Sequence, residues 1–190
     1  MKLEVTESNN QSLSFTLKGA KASYANAVRR SAMNAVSTFA IDRVTFYENT
    51  SAIFDEYIAH RLGLIPLHTP SKGYGEKDEI LFTLDATGPK TVYSSELESS
   101  DKEIKVAIDN IPVIKLGEGQ RLRLDGKAIL GQGKRHSKFQ AGLVTYEEKN
   151  GDYNFYIETY GQMPPKEILN KAFDAIKEEL KDLEKEAKKL

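Results

Sequence analysis

The chain has 190 residues, 39% of them hydrophobic and 29% charged, a globular composition able to bury a core of its own in one domain or two small ones. Its 27 Lys and Arg against 28 Asp and Glu leave a net charge of −1, which excludes a global pull toward nucleic acid or an anionic membrane. With no Cys, it excludes disulfides, cysteine nucleophiles, thiolate zinc sites and cysteine-ligated iron–sulfur clusters.

The segment Met1–Ser8 has no apolar signal core, and no stretch approaches the ~18–20 apolar residues of a membrane span. The expectation is a soluble, cytoplasmic protein with no membrane contact. Leu3 and Val5, then Leu13, Phe15 and Leu17, alternate with polar residues around the turn-forming Ser8-Asn9-Asn10-Gln11, which predicts a β-hairpin with one buried face. After Gly19, Ser23 is the expected cap of a helix over Tyr24–Val36, whose apolar face (Ala27, Val28, Ala32, Ala35, Val36) is small enough for close packing. Arg43–Glu48 reads as a strand leading to a short helix near Phe54–Arg61. From Leu64 to Tyr146 the pattern becomes short strands cut by turns such as Thr87-Gly88-Pro89 and Gly131-Gln132-Gly133. Tyr153, Phe155 and Ile157 predict another strand, and Pro164-Pro165 the start of a final helix.

That helix carries the strongest periodic signal. Leu169, Phe173, Ile176, Leu180, Leu183, Ala187 and Leu190 form a heptad seam, with seven charges of each sign from Lys166 to Lys189 on the other faces. Either the seam packs on this chain's own sheet, or the rod extends past its core and meets a partner. Residues 94–110 hold five acids and two bases, and 115–138 hold seven bases and two acids. This marks 41–149 as a β-rich block inserted into a domain built from 1–40 and 150–190.

Catalytic signals are weak. Gly117-Glu118-Gly119-Gln120-Arg121-Leu122 has Leu where a dinucleotide fingerprint needs its third Gly, and Gly133-Lys134-Arg135 lacks the Ser or Thr of a phosphate loop. His60, His68 and His136 have no metal-ligand spacing, and no nucleophile motif occurs, so neither a catalytic residue nor a metal or other cofactor is expected. Adjacent Asp55 and Glu56 point in different directions on a helix, which suits capping or an interface. The basic run Lys134–Phe139 fits a solvated face, a phosphate grip or an acidic protein surface.

Two segments go further. Tyr24-Ala25-Asn26-Ala27-Val28-Arg29-Arg30-Ser31-Ala32 resembles the NALRR-type first helix of the α-like subunits of RNA polymerase, and Phe54-Asp55-Glu56-Tyr57-Ile58-Ala59-His60-Arg61-Leu62-Gly63-Leu64-Ile65-Pro66-Leu67 resembles their DE..AHRLGLIPL signature. The run Gly133–Phe139 is similar to their GK.HAKW, and matches continue to Ile157-Glu158-Thr159-Tyr160-Gly161. By these residues the chain resembles the D-type, α-like subunits of archaeal DNA-directed RNA polymerase, relatives of the third-largest eukaryotic subunit. It departs from the pattern at Ser37 (usually Pro), Ser137 (Ala) and Phe139 (Trp). Tyr146–Tyr153 joins two strands directly where many members carry a cysteine-rich, ferredoxin-like insertion.

The resemblance implies an α+β fold, a dimerisation domain from both chain ends interrupted by a β-rich insert. It implies a noncatalytic assembly platform for DNA-dependent RNA polymerase with little or no direct nucleic-acid contact. Subunit L would pair along Leu169, Phe173, Ile176, Leu180, Leu183 and Ala187. The second-largest catalytic subunit would face Arg29, Arg30, Asp55, Glu56, His60 and Arg61, and Lys134, His136, Lys138 and Phe139 would make other subunit contacts. Small zinc subunits N and P complete the expected partners.

Overall fold

A computed structural model describes residues 1–189; Leu190, the last position of the heptad seam, lies outside the described residues. In chain order the elements are β1 (Lys2–Ser8), β2 (Ser12–Lys18), α1 (Ala22–Asn34), β3 (Ser37–Asn49), α2 (Asp55–Gly63), β4 (Glu79–Thr87) and β5 (Lys90–Tyr93). There follow β6 (Glu98–Ser99), β7 (Pro112–Leu116), β8 (Arg121–Gln132), β9 (Gly142–Lys149), β10 (Asp152–Thr159) and α3 (Pro165–Ala187). The fold is α+β, and the chain divides into two compact units, residues 1–37 with 132–190, and residues 38–131.

The first unit is a four-stranded sheet in the order β1-β2-β10-β9 under α1 and α3. Strand alternation puts Leu13, Phe15 and Leu17 on one face, and the antiparallel register sets Phe155 opposite Phe15, their rings stacked at 4.8 Å. Ala25, Val28 and Ala32 of α1 and Ile168, Leu169 and Ala172 of α3 close over that face. Small residues on α1 let the two helices approach until Ser31 Oγ donates to the Ala172 carbonyl at 3.0 Å.

Three expectations are corrected in this unit and at its border. Ser23 lies inside the first turn of α1, which starts earlier: the carbonyl of Lys21 takes the Tyr24 and Ala25 amides at 2.9 and 3.1 Å, with no side-chain cap. The strand expected over Arg43–Glu48 begins at Ser37, because Thr38-Phe39-Ala40-Ile41 is buried without interruption and shows no alternation to read. The boundary expected after residue 149 falls between 131 and 132. Strand β9 pairs with β10 along its whole length, through a two-residue turn in which Asn150 and Gly151 adopt φ of 56° and 80°.

The second unit has a sheet in the order β3-β8-β4-β6, a β5–β7 pair and α2. Alternation along β4 (Ile80, Phe82, Leu84, Ala86) and β8 (Leu122, Leu124, Ala128) supplies the core, closed by Ile58, Leu62 and Ile65. A loop is tied down by Asp101, which accepts from Tyr74 Oη at 3.0 Å and from the Glu103 and Ile104 amides at 2.7 and 3.1 Å. Burial, with the Asp101 carboxylate beside it, pushes the Tyr74 phenol up to about 12. Among the described residues no helix is long and apolar enough to cross a membrane.

Candidate interaction surfaces

In the first unit, the heptad seam serves two environments in succession. Leu169 is buried and Phe173 and Ile176 are partly buried against the unit's own core, whereas Leu180 is 59% exposed, Leu183 66% exposed and Ala187 exposed. Helix α3 therefore leaves its own core about halfway along. A groove of about 650 Å³ runs between α1 and α3, with Ala27 and Ser31 on one side and Ile176, Leu180 and Leu183 on the other.

Arg30 and Lys134 line the same groove, so residues expected on separate interfaces are brought together there. Arg29 is held elsewhere: its guanidinium donates to Asn26 Oδ1 at 3.0 Å and lies 3.9 Å from the Met33 sulfur. A rotation of ~100° per residue separates neighbours on a helix, and here it divides the arginine pair into a half-buried member and an exposed one.

The basic run is a fixed turn. Gln132 Nε2 donates to the Ala35 carbonyl at 3.0 Å and the Lys134 amide to the Asn34 carbonyl at 3.1 Å, which anchors its base on the end of α1. His136 Nδ1 accepts the Lys138 amide at 3.1 Å, while Arg135 and Lys138 sit 5.5 and 5.1 Å from the ring centre of fully buried Phe139. Phe139 is thus a packing residue and offers no open face for a base to stack on.

The remaining basic residues between 115 and 127 belong to the other unit. Arg121 forks onto Asp85 at 3.0 and 2.7 Å, Lys127 pairs with Glu79 at 3.0 Å, and Arg123 lies over the Tyr47 ring. Arg121 and Lys127 thus meet their charges across neighbouring strands on an exposed sheet face.

On α2 of the second unit, Asp55 and Glu56 occupy the first turn and His60 and Arg61 the last, the arrangement that complements the helix dipole. All four are exposed. Asp55 Oδ1 accepts from Asn49 Nδ2 at 2.7 Å, and the Arg61 guanidinium donates to the Pro112 carbonyl. The sequence pattern alone does not single out the apolar residues beside them: Tyr57 within α2, and Phe54 and Leu64 at its two ends, are exposed. Among the described residues no group of three or more His, Cys, Asp or Glu could hold a metal ion, and His68 instead lies 3.2 Å from the Glu103 carbonyl.

Residues 44–145 match the RNA polymerase Rpb3/RpoA insert domain family. Over 164 residues the chain is 46% identical to the DNA-directed RNA polymerase subunit Rpo3 of Methanocaldococcus jannaschii, aligning 86% of this chain with 83% of that protein. The chain belongs to the Rpo3 family. Further relatives of this name occur in Pyrococcus furiosus (46% identity over 153 residues, 77% of this chain and 59% of the relative) and Halobacterium salinarum (39% over 142 residues, 75% and 57%). The chain thus spans a little over half the length of these two Rpo3 proteins and most of the Methanocaldococcus one.

Proposed function

We propose that this chain is a noncatalytic assembly-platform subunit of an archaeal DNA-dependent RNA polymerase, of the D type, working in the cytoplasm without a cofactor of its own. In this form β9 turns directly into β10, where a ferredoxin-like insertion would otherwise stand. The first unit is the dimerisation domain and the second the insert. Subunit L pairs along the α1–α3 groove and the outer half of α3. The α2 surface with Asp55, Glu56, His60 and Arg61 meets the second-largest catalytic subunit, as does Arg29 of α1, whereas Arg30 lines the groove that L covers. Lys134, His136 and Lys138 of the basic turn contact further subunits, with Phe139 packed beneath them in the core; the small zinc subunits N and P are among the partners, and nucleic acid is touched little or not at all.

The observation that carries this reading is the abrupt exposure of the α3 seam. Leu180 and Leu183 continue a heptad whose earlier members are core residues, yet they face solvent in a single chain. A seam of that kind is stabilised when a second helical layer covers it. The decisive experiment is co-purification of the tagged chain from native extract, followed by co-expression with subunit L. A polymerase-containing fraction and a 1:1 heterodimer are expected; a chain that purifies alone and stays monomeric with L overturns the proposal.

A further inference from the structure

The chain has one Asn-Gly pair, and it stands where nothing restrains it. Asn150 and Gly151 are the two loop residues between β9 and β10, both exposed and both at positive φ. Among the described residues neither the Asn150 side chain nor the Gly151 amide makes a hydrogen bond. Glycine has no Cβ to shield its nitrogen, so this amide is open to the carboxamide carbon of the residue before it.

Every other asparagine precedes a residue with a side chain, and several are engaged. Asn9 Oδ1 accepts the Gln11 and Ser12 amides at 2.8 and 2.7 Å, and Asn49 Oδ1 accepts the Ser51 amide at 3.1 Å while its Nδ2 donates to the Ile53 carbonyl at 2.9 Å. Asn154 Oδ1 takes the Thr16 hydroxyl at 2.9 Å. The related pair Asp125-Gly126 lies within β8, opposite Thr83 and Phe82, and Asp125 Oδ2 accepts from Tyr47 Oη at 2.8 Å.

We infer that Asn150 is a site of spontaneous covalent modification, deamidating through a succinimide to aspartate and isoaspartate, and that the change loosens the end of β9. The Gly151 nitrogen, giving its proton to water or hydroxide, forms a bond to Asn150 Cγ; the Cγ–Nδ2 bond breaks and Nδ2 leaves as ammonia. Water then adds to one of the two ring carbonyls. Opening at Cγ gives aspartate, and opening at the main-chain carbonyl carbon of Asn150 gives isoaspartate, with the chain running through Cγ. One water is consumed and one ammonia released, with no oxidant or reductant.

The ring closes only when Cγ reaches the Gly151 nitrogen, so the rate follows local opening of the turn. Isoaspartate puts an extra carbon into the main chain of a turn whose two residues set the pairing of Lys149 with Asp152. Either product adds a carboxylate beside Glu147, Glu148 and Asp152, where Lys149 is the one cation from 147 to 152. Strand β9 is an edge strand held by β10, so lost register at the turn falls on it first.

The test ages the folded full chain in mildly alkaline buffer and reads each asparagine by peptide mass spectrometry, with isoaspartate labelled by isoaspartyl methyltransferase. Conversion is expected at Asn150 ahead of every other asparagine. It is expected to be lost in Asn150→Gly, which suits the positive φ and keeps the turn, as circular dichroism checks. Hydrogen exchange is expected to show lost protection over residues 147–149 in the aged chain relative to fresh protein, and no such loss in aged Asn150→Gly. Conversion at Asn150 no faster than at Asn9 or Asn49 overturns the site, a comparison that needs no variant. Converted protein that keeps full protection in β9 overturns the effect on the strand.

Discussion

Single residues in this chain act mainly through close backbone approach and local charge. A Cβ on Gly133 would stand 2.1 Å from the Met33 carbonyl oxygen, beside the Lys134–Asn34 hydrogen bond that anchors the basic turn to α1. Neither backbone can yield without losing that bond. Gly133→Ala is expected to destabilise the first unit by about 1–3 kcal/mol, read as a lower midpoint in urea. On the sheet edge, Glu4 bridges Lys2 and Lys18 at 2.8 Å each; the Lys18 hydrogen bond first, then that of Lys2, lowers its carboxyl from 4.5 to about 2. A carboxyl depressed on folding stabilises fully above its unfolded value and loses that contribution as pH falls through the folded one. Amide-exchange protection of β1 should therefore decline between pH 4.5 and about 2 in the native chain, less so in Glu4→Gln, and the difference should be small and vanish in high salt because the pair is exposed. Equal profiles for the two proteins would show that Glu4 does not hold the edge strand.

Elements are legible in the sequence to the extent that their periodicity is unmixed. The β1–β2 hairpin alternates, and α3 keeps its heptad from a proline start, so both elements appear where their patterns place them, but the buried face expected of the hairpin is supplied by β2 alone, since Leu3 and Val5 on the edge strand β1 stay exposed. Strand β9 falls outside the unit that its place in the sequence suggests, because its membership depends on pairing with β10, whose other neighbour β2 lies far away in sequence. No local pattern encodes that pairing. The segment around α2 hides its exposed apolar residues because Phe54, Tyr57 and Leu64 interleave with the inward Ile58, Leu62 and Ile65, so together they read as one apolar segment. Within α3 the periodicity is uniform but burial is not: Ile168, Leu169 and Ala172 are core residues and everything from Lys177 to Lys189 is exposed. Deleting the chain after Lys177 should accordingly leave the near-UV spectrum and melting curve of the first unit nearly unchanged. Pairing with subunit L should weaken measurably by calorimetry, since each buried leucine is worth roughly 1.5–3 kcal/mol before the cost of association. Unchanged affinity would show that L docks elsewhere, and a large fall in stability would show that the outer half supports the fold.

Across the whole molecule, the two buried clusters share no residue and draw on separate parts of the chain. Every member of one lies between Phe39 and Ala128, and every member of the other comes from Leu13–Val36 or Ala141–Ala172. Each unit thus owns the apolar surface that drives its folding, which is the physical meaning of an inserted domain. The chain enters the second unit along β3 and leaves it along β8, neighbouring strands of one sheet, so the cut ends of an excised insert emerge on adjacent strands. Residues 38–131 expressed alone should therefore fold, giving a single cooperative urea transition with a slope of ~1–3 kcal/mol per molar, as small domains do. The reciprocal chain, residues 1–37 joined to 132–190 by a short Gly-Ser linker, should keep the β1-β2-β10-β9 sheet and the exposed Leu180–Leu183 segment, and bind L as the full chain does. Size exclusion with light scattering reads the second outcome and chemical denaturation the first. A sloping, noncooperative curve for 38–131 would mean that its core needs the rest of the chain, and loss of L binding by the joined ends would move part of the pairing surface into the insert.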